Sequence, residues 1–445
     1  DEQLERTSGE RHGAIRIGRE DEYRWVGRFF AQFAMEPHNF YDMTSVGAKS
    51  QPIIATAFRA VRNPEHRVFT SLLRTDWFDG ATRARIEALL APLRVFSERA
   101  KELIQKGERE GGLSWEDATA LIAEGTQRIF KWTGQARDHA LYKELCDAGF
   151  KIAADIACFE SHHLNHLTPN TLCMDLYTSA MKRCMGELPP EAFRERAERA
   201  LTRLAAQADQ HWMRLHFKHL GAEQIEGLRR GGLDAGTVAA AVERAAARLA
   251  EPDLRLGEMK HAGFKDTTEG PAWDTPVLLR QDSYKALTEP VEFVNPDGSR
   301  VKTTHTARFG EIEQRFYATT PAGRELYDRC LADAEASQDA KLAQTDFAAY
   351  EAKYAAAFKP FPKSLPELFE RGLVRVLYAP TEQGLRARGS ITTTDPRELV
   401  RQGLVRVEGQ RYEDFLPVSA AGIFASNLNQ YGTKSTAAAR PTYTR

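Results

Sequence analysis

Residues 300–320 read RVKTTHTARFGEIEQRFYATT and form the longest strand-like stretch of this chain. Its threonine, valine and aromatic residues are typical of a β-strand. Alternation places five positions on one face unless Gly310 introduces a bulge: His305, Ala307, Phe309, Glu311 and Glu313. A carboxylate that faces a sheet interior is costly unless a metal or a cation compensates it. Salt bridges to Arg308 and Arg315 are the alternative to a metal here.

Other strand-like and helical stretches alternate along the chain. Strand-like segments cover residues 12–18, 52–61, 66–72 and 276–281, and LVRVLYA, LVRVEG and RYEDFLPV have the same texture near the C-terminus. Apolar residues recur every three or four positions at 81–110 and 115–132, which predicts helices. The stretch 189–250 is rich in Ala, Arg and Glu, and another helix is predicted over 322–358.

This arrangement predicts an α+β fold with a curved sheet core wrapped by helices. Residues 1–170 would form the first part of the core, and residues 171–273 a largely helical insertion. Residues 274–427 would form the second part of the core, followed by a C-terminal tail at 428–445.

Composition limits the possible functions. The 445 residues carry a formal net charge of -1, so nothing favours nucleic acid or an anionic membrane as a partner. No apolar run is long enough to span a bilayer. The five cysteines form no CxxC pair and their number is odd, which indicates a reduced, cytoplasmic protein. The chain does not start with Met, so we expect its natural N-terminus to lie upstream.

The stretch ERHGAIRIG at residues 10–18 combines a histidine with an arginine. On a strand His12, Ala14 and Arg16 face the same side, and the Cα atoms of His12 and Arg16 lie about 13 Å apart. A metal on His12 and an anion on Arg16 would then be separated by about the length of a short dicarboxylate. An edge strand with an exposed His and Arg is the alternative.

The stretch FESHHLNHLTPNT at residues 159–171 holds His162, His163 and His166. Histidine is the commonest metal ligand in proteins. The imidazoles could instead bond backbone carbonyls, and the spacing alone does not say which one binds. None of the three segments contains Cys, so a Cys-rich zinc site is not expected. Two histidines and one carboxylate from separate segments match the facial triad of non-haem iron oxygenases.

Five motifs resemble the 2-oxoadipate dioxygenase/decarboxylase family, also called hydroxyglutarate synthases. They are ERHGAIRIG, HLNHLTPNT, LLRQDSYKAL, HTARFGEIEQR and YEDFLPVSAAGIF. The resemblance covers roughly residues 8–170, 274–332 and 365–427. It implies a fold similar to the vicinal-oxygen-chelate superfamily, in which βαβββ units form a half-open barrel around one metal. The helical region near 171–273 is longer than in some members, and the tail after Asn427 matches nothing in the family.

The resemblance also assigns roles to residues. It implies metal ligands at His12, His166 and Glu311, which would border the substrate, and a substrate-holding arginine at Arg16. Val418 and Ser419 match positions that line the substrate pocket. We expect His163 and His305 to support the ligands from outside the coordination sphere, because metal ligands commonly need such hydrogen-bond partners.

The function implied by the resemblance is an Fe(II)-dependent conversion of 2-oxoadipate and O2 to 2-hydroxyglutarate and CO2 in lysine breakdown. Its partners would be a small 2-oxo dicarboxylic acid and dioxygen, and the oligomeric state stays open. Two other classes fit the residues. A zinc or nickel lyase or isomerase could use a similar ligand set without oxygen. A non-enzymatic metal-binding protein would close the triad with a fourth ligand, such as His163 or His305.

Overall fold

The computed structural model describes most of the chain. The described residues are 11–45, 50–61, 66–162, 164–169, 171, 173–207, 235–251, 269–337 and 340–413. Within these ranges no helix is long and apolar enough to cross a membrane.

A five-stranded sheet forms the first half of the core. Its order is β2-β3-β4-β1-β6. The strands are β1 (Arg11–Ile17), β2 (Met35–Asp42), β3 (Ile53–Ala60), β4 (His66–Leu73) and β6 (Leu164–Pro169). β1 lies inside the sheet, parallel to β4 and antiparallel to β6, whereas β2 is at an edge.

The remaining described strands form two smaller sheets. One has the order β5-β7-β8 and contains a long antiparallel hairpin. Its strands are β5 (Gln135–Arg137), β7 (Leu279–Val294) and β8 (Arg300–Arg315). The other sheet pairs β9 (Val376–Pro380) with β10 (Val405–Gly409). None of these sheets closes into a barrel over the described residues.

Helices cover the sheets, and several begin at the capping side chains that their sequences offer. Ser97 and Ser114 each accept a hydrogen bond from a backbone N–H in the first turn of a helix, as N-caps commonly do. The helices are α1 (Glu20–Ala31), α2 (Gly80–Leu90), α3 (Glu98–Glu110), α4 (Trp115–Glu124), α5 (His139–Asp147), α6 (Lys151–Cys158), α7 (Met174–Cys184), α8 (Pro190–Gln207), α9 (Ala235–Arg248), α10 (Pro321–Ala336), α11 (Ala340–Thr345), α12 (Phe347–Ala357), α13 (Leu365–Glu370), α14 (Glu382–Arg386) and α15 (Pro396–Arg401).

The inner strands of the five-stranded sheet are buried on both faces. Ala14 of β1 belongs to an apolar cluster that includes α6 and Phe293 of β7. Ile15 and Ile17 belong to a second cluster that includes Phe29 of α1. β1 is therefore a strand with two buried sides, and its polar residues must be accommodated inside the protein.

The described architecture is mixed α and β, as predicted. The predicted strands at 12–18, 52–61, 66–72 and 300–320 correspond to β1, β3, β4 and β8. The described parts of 171–273 contain the helices α7, α8 and α9. The single helix predicted over 322–358 is instead divided among α10, α11 and α12. Strand β2 was not predicted, because its sequence MEPHNFYD lacks the usual alternation.

Candidate active site

Three neighbouring strands carry the predicted metal ligands. His12 lies on β1, His166 on β6 and Glu311 on β8. At these three positions the structure describes the backbone alone. The candidate site therefore rests first on strand register.

The register between β1 and β6 places the two histidine positions next to each other. His12 is opposite Thr168, two residues from His166. Farther along the pair, Ile15 is opposite Leu164, so β6 accommodates an extra residue within this interval. Bulges of this kind often occur next to active sites, where they redirect a side chain.

Strand β8 approaches the same place from the other sheet. The backbone N–H of Thr171, just after β6, donates to the carbonyl oxygen of Glu313 at 2.7 Å. That carbonyl is two residues from the position of Glu311, which lies opposite Ser283 of β7. Backbone contacts thus bring together three segments that are far apart in sequence.

Several predicted residues stay untested at the level of side chains. His163, Val418 and Ser419 lie outside the described residues. Among the residues that are described, no three His, Cys, Asp or Glu side chains are arranged to hold a metal ion. The convergence of His12, His166 and Glu311 on one metal therefore remains a prediction.

Arg16 shares a face of β1 with Ala14 and extends toward helix α6. Its Nη1 donates to Asp155 Oδ2 at 2.6 Å, and both side chains are largely buried. Periodicity correctly predicted the shared face of Ala14 and Arg16. An edge strand with an exposed arginine, the alternative considered from the sequence, is wrong.

His305 reaches the other oxygen of the same carboxylate. Its Nε2 lies 3.3 Å from Asp155 Oδ1, although the contact lacks the geometry of a hydrogen bond. The ring stacks on Trp132 with centroids 5.6 Å apart and meets the edge of Phe159 at 4.9 Å. His305 is therefore a buried ring enclosed by aromatic side chains and a carboxylate. We call Arg16, Asp155 and His305 the Asp155 cluster.

The Asp155 carboxylate is ionised because its neighbours outweigh its burial. Burial raises its pKa, but His305 and the Arg16 guanidinium lower it more, so the pKa lies well below its usual range. The Tyr142 hydroxyl also donates to Asp155 Oδ1, at 3.4 Å. A buried carboxylate with partners at both oxygens is a fixed feature of the site.

A second group of buried charges lies nearby, between the strands and the C-terminal segment. Arg315 Nε donates to Glu313 Oε2 at 3.1 Å, and its Nη1 donates to the Tyr412 carbonyl oxygen at 3.2 Å. Arg67, which is opposite His12 in the sheet, forms an ion pair with Glu413. We call these side chains, together with Arg411, the arginine cluster; its members are Arg67, Arg315, Arg411, Glu313 and Glu413.

Crowding of like charges marks this cluster. Burial and the charge of Arg315 lower the pKa of Arg67 to about 9, against the opposing effect of Glu413. Burial likewise lowers the pKa of Arg411 to about 10. The cluster attaches residues 412–413 to β8, which carries the position of Glu311, and to β4, which pairs with β1.

Arg280 is a further buried cation, but its ion-pair partner lies outside both the Asp155 cluster and the arginine cluster. Arg280 is opposite Gln314, whereas Gln281 is opposite Glu313, so Arg280 and Glu313 belong to opposite faces of the hairpin. Its guanidinium binds Asp175 of α7 through two hydrogen bonds of 3.1 and 3.2 Å. Arg280 therefore links the sheet to the helical region.

His162, one of the three clustered histidines, has a structural role. Its Nε2 lies 3.2 Å from Glu22 Oε2, and both side chains are 2% exposed. The same oxygen accepts from the backbone N–H groups of Val95 and Phe96 at 3.3 and 3.4 Å. This contact joins the histidine segment to α1 and to the segment before α3.

Sequence reasoning missed Asp155 and Arg67. The sequence does mark both residues. Asp155 is an acid inside the apolar helix KIAADIAC, and Arg67 directly precedes the largely apolar stretch VFTSLL. A charge inside an apolar element needs a buried partner. The identity of that partner could not be read, because Arg16 is 139 residues away from Asp155.

Known proteins resemble this chain in the same segments that carry the candidate site. A family model described as 2-oxoadipate dioxygenase/decarboxylase matches residues 1–200 and 213–427. The chain belongs to this family. The match includes much of the helical region and ends at residue 427, where the resemblance in motifs also ends. The resemblance inferred from the five motifs is confirmed.

Relatives of known function are similar in sequence over nearly the whole chain. The 2-oxoadipate dioxygenase/decarboxylase of Pseudomonas putida is 35% identical over 448 residues, covering 97% of this chain and 78% of the relative. The Escherichia coli relative of the same name is 33% identical over 445 residues, covering 98% and 79%. Hydroxyglutarate synthase from Pseudomonas putida, crystallised with 2-oxoadipate, has a TM-score of 0.64 and 33% identity, covering 97% of this chain and 83% of that one.

A dioxygenase family implies a metal cofactor, and the donor set fits one. Two imidazoles and one carboxylate suit a transition metal that must keep open positions for other ligands. The strand register brings the positions of His12 and His166 together, and β6 is joined to β8 beside Glu313. No Cys is among the predicted ligands.

Proposed function

We propose that this chain is an iron(II)-dependent dioxygenase/decarboxylase that converts 2-oxoadipate and O2 to 2-hydroxyglutarate and CO2. The observation that carries the proposal lies on β1. There the position of His12 is four residues from Arg16, whose guanidinium is held against the buried Asp155. One strand thus offers both a metal-ligand position and a fixed cation for a dicarboxylic acid. Membership of the family supports the reaction class.

In this proposal His12, His166 and Glu311 hold the metal. This donor set is that of iron(II) oxygenases and leaves coordination positions open. When bound, iron(II) would supply chelation of the 2-oxo acid group and activation of dioxygen. We infer that the sheets that carry these residues correspond to a half-open barrel of the vicinal-oxygen-chelate type.

Arg16 would bind the carboxylate at the far end of the substrate. On an extended strand its Cα is about 13 Å from that of His12, which leaves room for a short diacid between the two side chains. A guanidinium suits this role because its planar fork matches a carboxylate. Val418 and Ser419 would line the rest of the pocket.

The proposed reaction balances without a second 2-oxo acid. The carboxyl group next to the ketone leaves as CO2. One atom of dioxygen completes the new carboxylate at the former keto carbon, and the other becomes the hydroxyl group on the adjacent carbon. Both oxygen atoms therefore enter one product, and no external reductant is consumed.

The test is anaerobic reconstitution with iron(II), followed by oxygen-electrode assays with 2-oxo acids of different length and charge. We expect oxygen uptake with 2-oxoadipate and a stoichiometric release of CO2. Zinc-loaded protein serves as the control and should consume no oxygen. Turnover of 2-oxo acids by the zinc form under anaerobic conditions would contradict the proposal and support a lyase or isomerase.

A further inference from the structure

Asp155 is an unusual residue of helix α6. The helix is buried along its length, and the residues on both sides of Asp155 are apolar. Asp155 itself is only 3% exposed. A charged group at such a position is destabilising unless specific partners compensate it. Its contacts therefore indicate what the position is for.

The two oxygens of Asp155 contact two different strands. Oδ2 accepts from Arg16 of β1 at 2.6 Å, whereas Oδ1 lies 3.3 Å from His305 of β8. These strands also carry the positions of His12 and Glu311. Asp155 thus connects, through one carboxylate, two of the strands that would form the metal site.

We propose that Asp155 is the positioning residue that holds the Arg16 guanidinium for the far carboxylate of the substrate, and thereby sets the preference for dicarboxylic over monocarboxylic 2-oxo acids. This inference rests on the proposed function, because it assigns to Arg16 the recognition of the diacid. It adds a residue that never touches the substrate.

Two physical effects support this role. An arginine side chain has many rotamers, and an ion pair of 2.6 Å at Nη1 restricts them before the substrate arrives. In addition, the negative charge of Asp155 repels a second carboxylate on its own side of the guanidinium. The substrate carboxylate must then approach another edge of the fork, which fixes its direction.

His305 restricts Asp155 in turn. Its ring is held between Trp132 and Phe159, so it cannot easily turn away from the carboxylate. The low pKa of Asp155 keeps the carboxylate charged at neutral pH. The guanidinium is thus held by a carboxylate that is itself fixed by the protein.

The experiment compares Asp155→Asn with the native protein. Anaerobic calorimetry measures the affinity of the iron(II)-loaded proteins for 2-oxoadipate and for 2-oxohexanoate, and oxygen uptake gives kcat and KM. We expect 2-oxoadipate to bind about 10- to 100-fold more weakly, since a charge-assisted contact loses its orientation. The kcat and the affinity for 2-oxohexanoate should change less than about threefold, and the iron content should be retained.

Asp175→Asn is the matched control. Asp175 also pairs with a buried arginine, Arg280, here through two hydrogen bonds and on the opposite face of the β7–β8 hairpin from Glu313. The Asp175→Asn substitution should lower the stability of the protein without changing the ratio of its affinities for 2-oxoadipate and 2-oxohexanoate. A change in that ratio as large as in Asp155→Asn would overturn the positioning role.

A double variant shows whether Asp155 acts through Arg16. If it does, Arg16→Ala combined with Asp155→Asn binds 2-oxoadipate no more weakly than Arg16→Ala alone. Additive losses would overturn the proposal. If Asp155→Asn does not fold, Asp155→Glu keeps the charge but moves it by one methylene. Retention of full diacid preference in Asp155→Glu would then contradict the need for a fixed position.

The two proposals fail in different ways. If Arg16→Ala binds 2-oxoadipate as tightly as the native protein, Arg16 does not recognise the diacid and the proposed function loses its substrate contact. If Arg16→Ala loses the diacid preference while Asp155→Asn keeps it, only the role of Asp155 is wrong.

Discussion

The Asp155 cluster joins one carboxylate to two basic side chains, whereas the arginine cluster surrounds two carboxylates with three guanidinium groups. Both are adjacent to β1 and β8. In the first, opposite charges lower the pKa of the carboxyl group. In the second, burial and like charges lower the pKa of Arg67.

The difference shows two uses of buried charge. The arginine cluster also bonds to backbone, since Arg315 donates to the Tyr412 carbonyl and Arg67 to the Glu413 carbonyl. Its contacts therefore hold a segment of chain in place. The Asp155 cluster contacts side chains and fixes the direction of one guanidinium. The first use predicts losses of stability and the second predicts losses of selectivity.

The largest effect is expected from Arg315→Met in the arginine cluster. It removes the ion pair of the buried Arg315 with the buried Glu313, and breaking a buried pair in this way typically costs about 3–5 kcal/mol of unfolding free energy. Urea unfolding of the metal-free protein measures the loss. Arg386→Met, which removes an exposed ion pair, is the control and should change stability by less than about 0.5 kcal/mol. A loss below about 1 kcal/mol for Arg315→Met would mean that the cluster does not anchor the chain.

Arg16→Ala should mainly affect catalysis. Loss of a charge-assisted bidentate contact should cost about 2–4 kcal/mol, or about 30- to 1000-fold in kcat/KM for 2-oxoadipate. Arg16→Lys should recover only part, because an ammonium group cannot reproduce the fork. Iron binding should survive. Oxygen consumption with 2-oxoadipate and 2-oxohexanoate tests this, and equal losses for the two acids would contradict recognition of the far carboxylate.

His305→Ala should have a smaller effect on the metal site. We expect a 10- to 100-fold loss in metal affinity or rate, roughly the effect of removing an outer partner, with binding retained. Titration of the metal-free protein with iron(II) measures it. Complete loss of metal would instead make His305 a ligand.

His163→Ala should likewise weaken metal binding or slow the reaction by about 10- to 100-fold without abolishing metal binding. This result would distinguish His163 from His166, the predicted ligand. The comparison needs both variants under one protocol, with bound iron measured after desalting. If His163→Ala retains no metal while His166→Ala stays loaded, the assignment within the histidine segment is reversed.

The smallest effect concerns pH and the Asp155 cluster. Because the folded-state pKa of Asp155 is lowered, the unfolded chain binds a proton first as the pH falls below about 4. The stabilisation by this carboxylate is thus complete above that pH and is lost as the pH falls toward the lower folded pKa. In this range the stability gap between native protein and Asp155→Asn should narrow by up to about 1.4 kcal/mol per pH unit. Urea unfolding of both proteins between pH 3 and pH 7 measures the gap, and a gap that does not change with pH would contradict the lowered pKa.

The sequence predicted the secondary-structure elements better than the contacts that side chains on those elements form. Alternation along β1 correctly placed Ala14 and Arg16 on one face, because strand geometry depends only on adjacent residues. Strand β2 escaped prediction since Pro37, His38 and Asn39 interrupt its pattern, and an edge strand tolerates such residues. The division of 322–358 into three helices was also missed.

The site could be predicted only in part. Histidine clusters and a carboxylate indicated a metal, but the choice of His166 and Glu311 came from resemblance to a family and not from spacing. The ion pair of Arg16 with Asp155 joins residues 139 positions apart. Periodicity cannot identify such a partner, because the pairing depends on how α6 packs against the sheet.

The order of strands in the five-stranded sheet also determines how long β1 must wait for its neighbours while the chain is being synthesised. β1 is made before its neighbours, since β4 follows it by about 50 residues and β6 by about 150. β6, the last strand of this sheet to be made, ends about 160 residues after β1 begins, which at 5–20 residues per second is a delay of about 8–32 s. During that time the apolar Ile15 and Ile17 lack part of their sheet, and an unpaired apolar strand tends to aggregate. The nascent chain therefore needs protection, and the proposed set of metal ligands becomes complete only after β8 has been made.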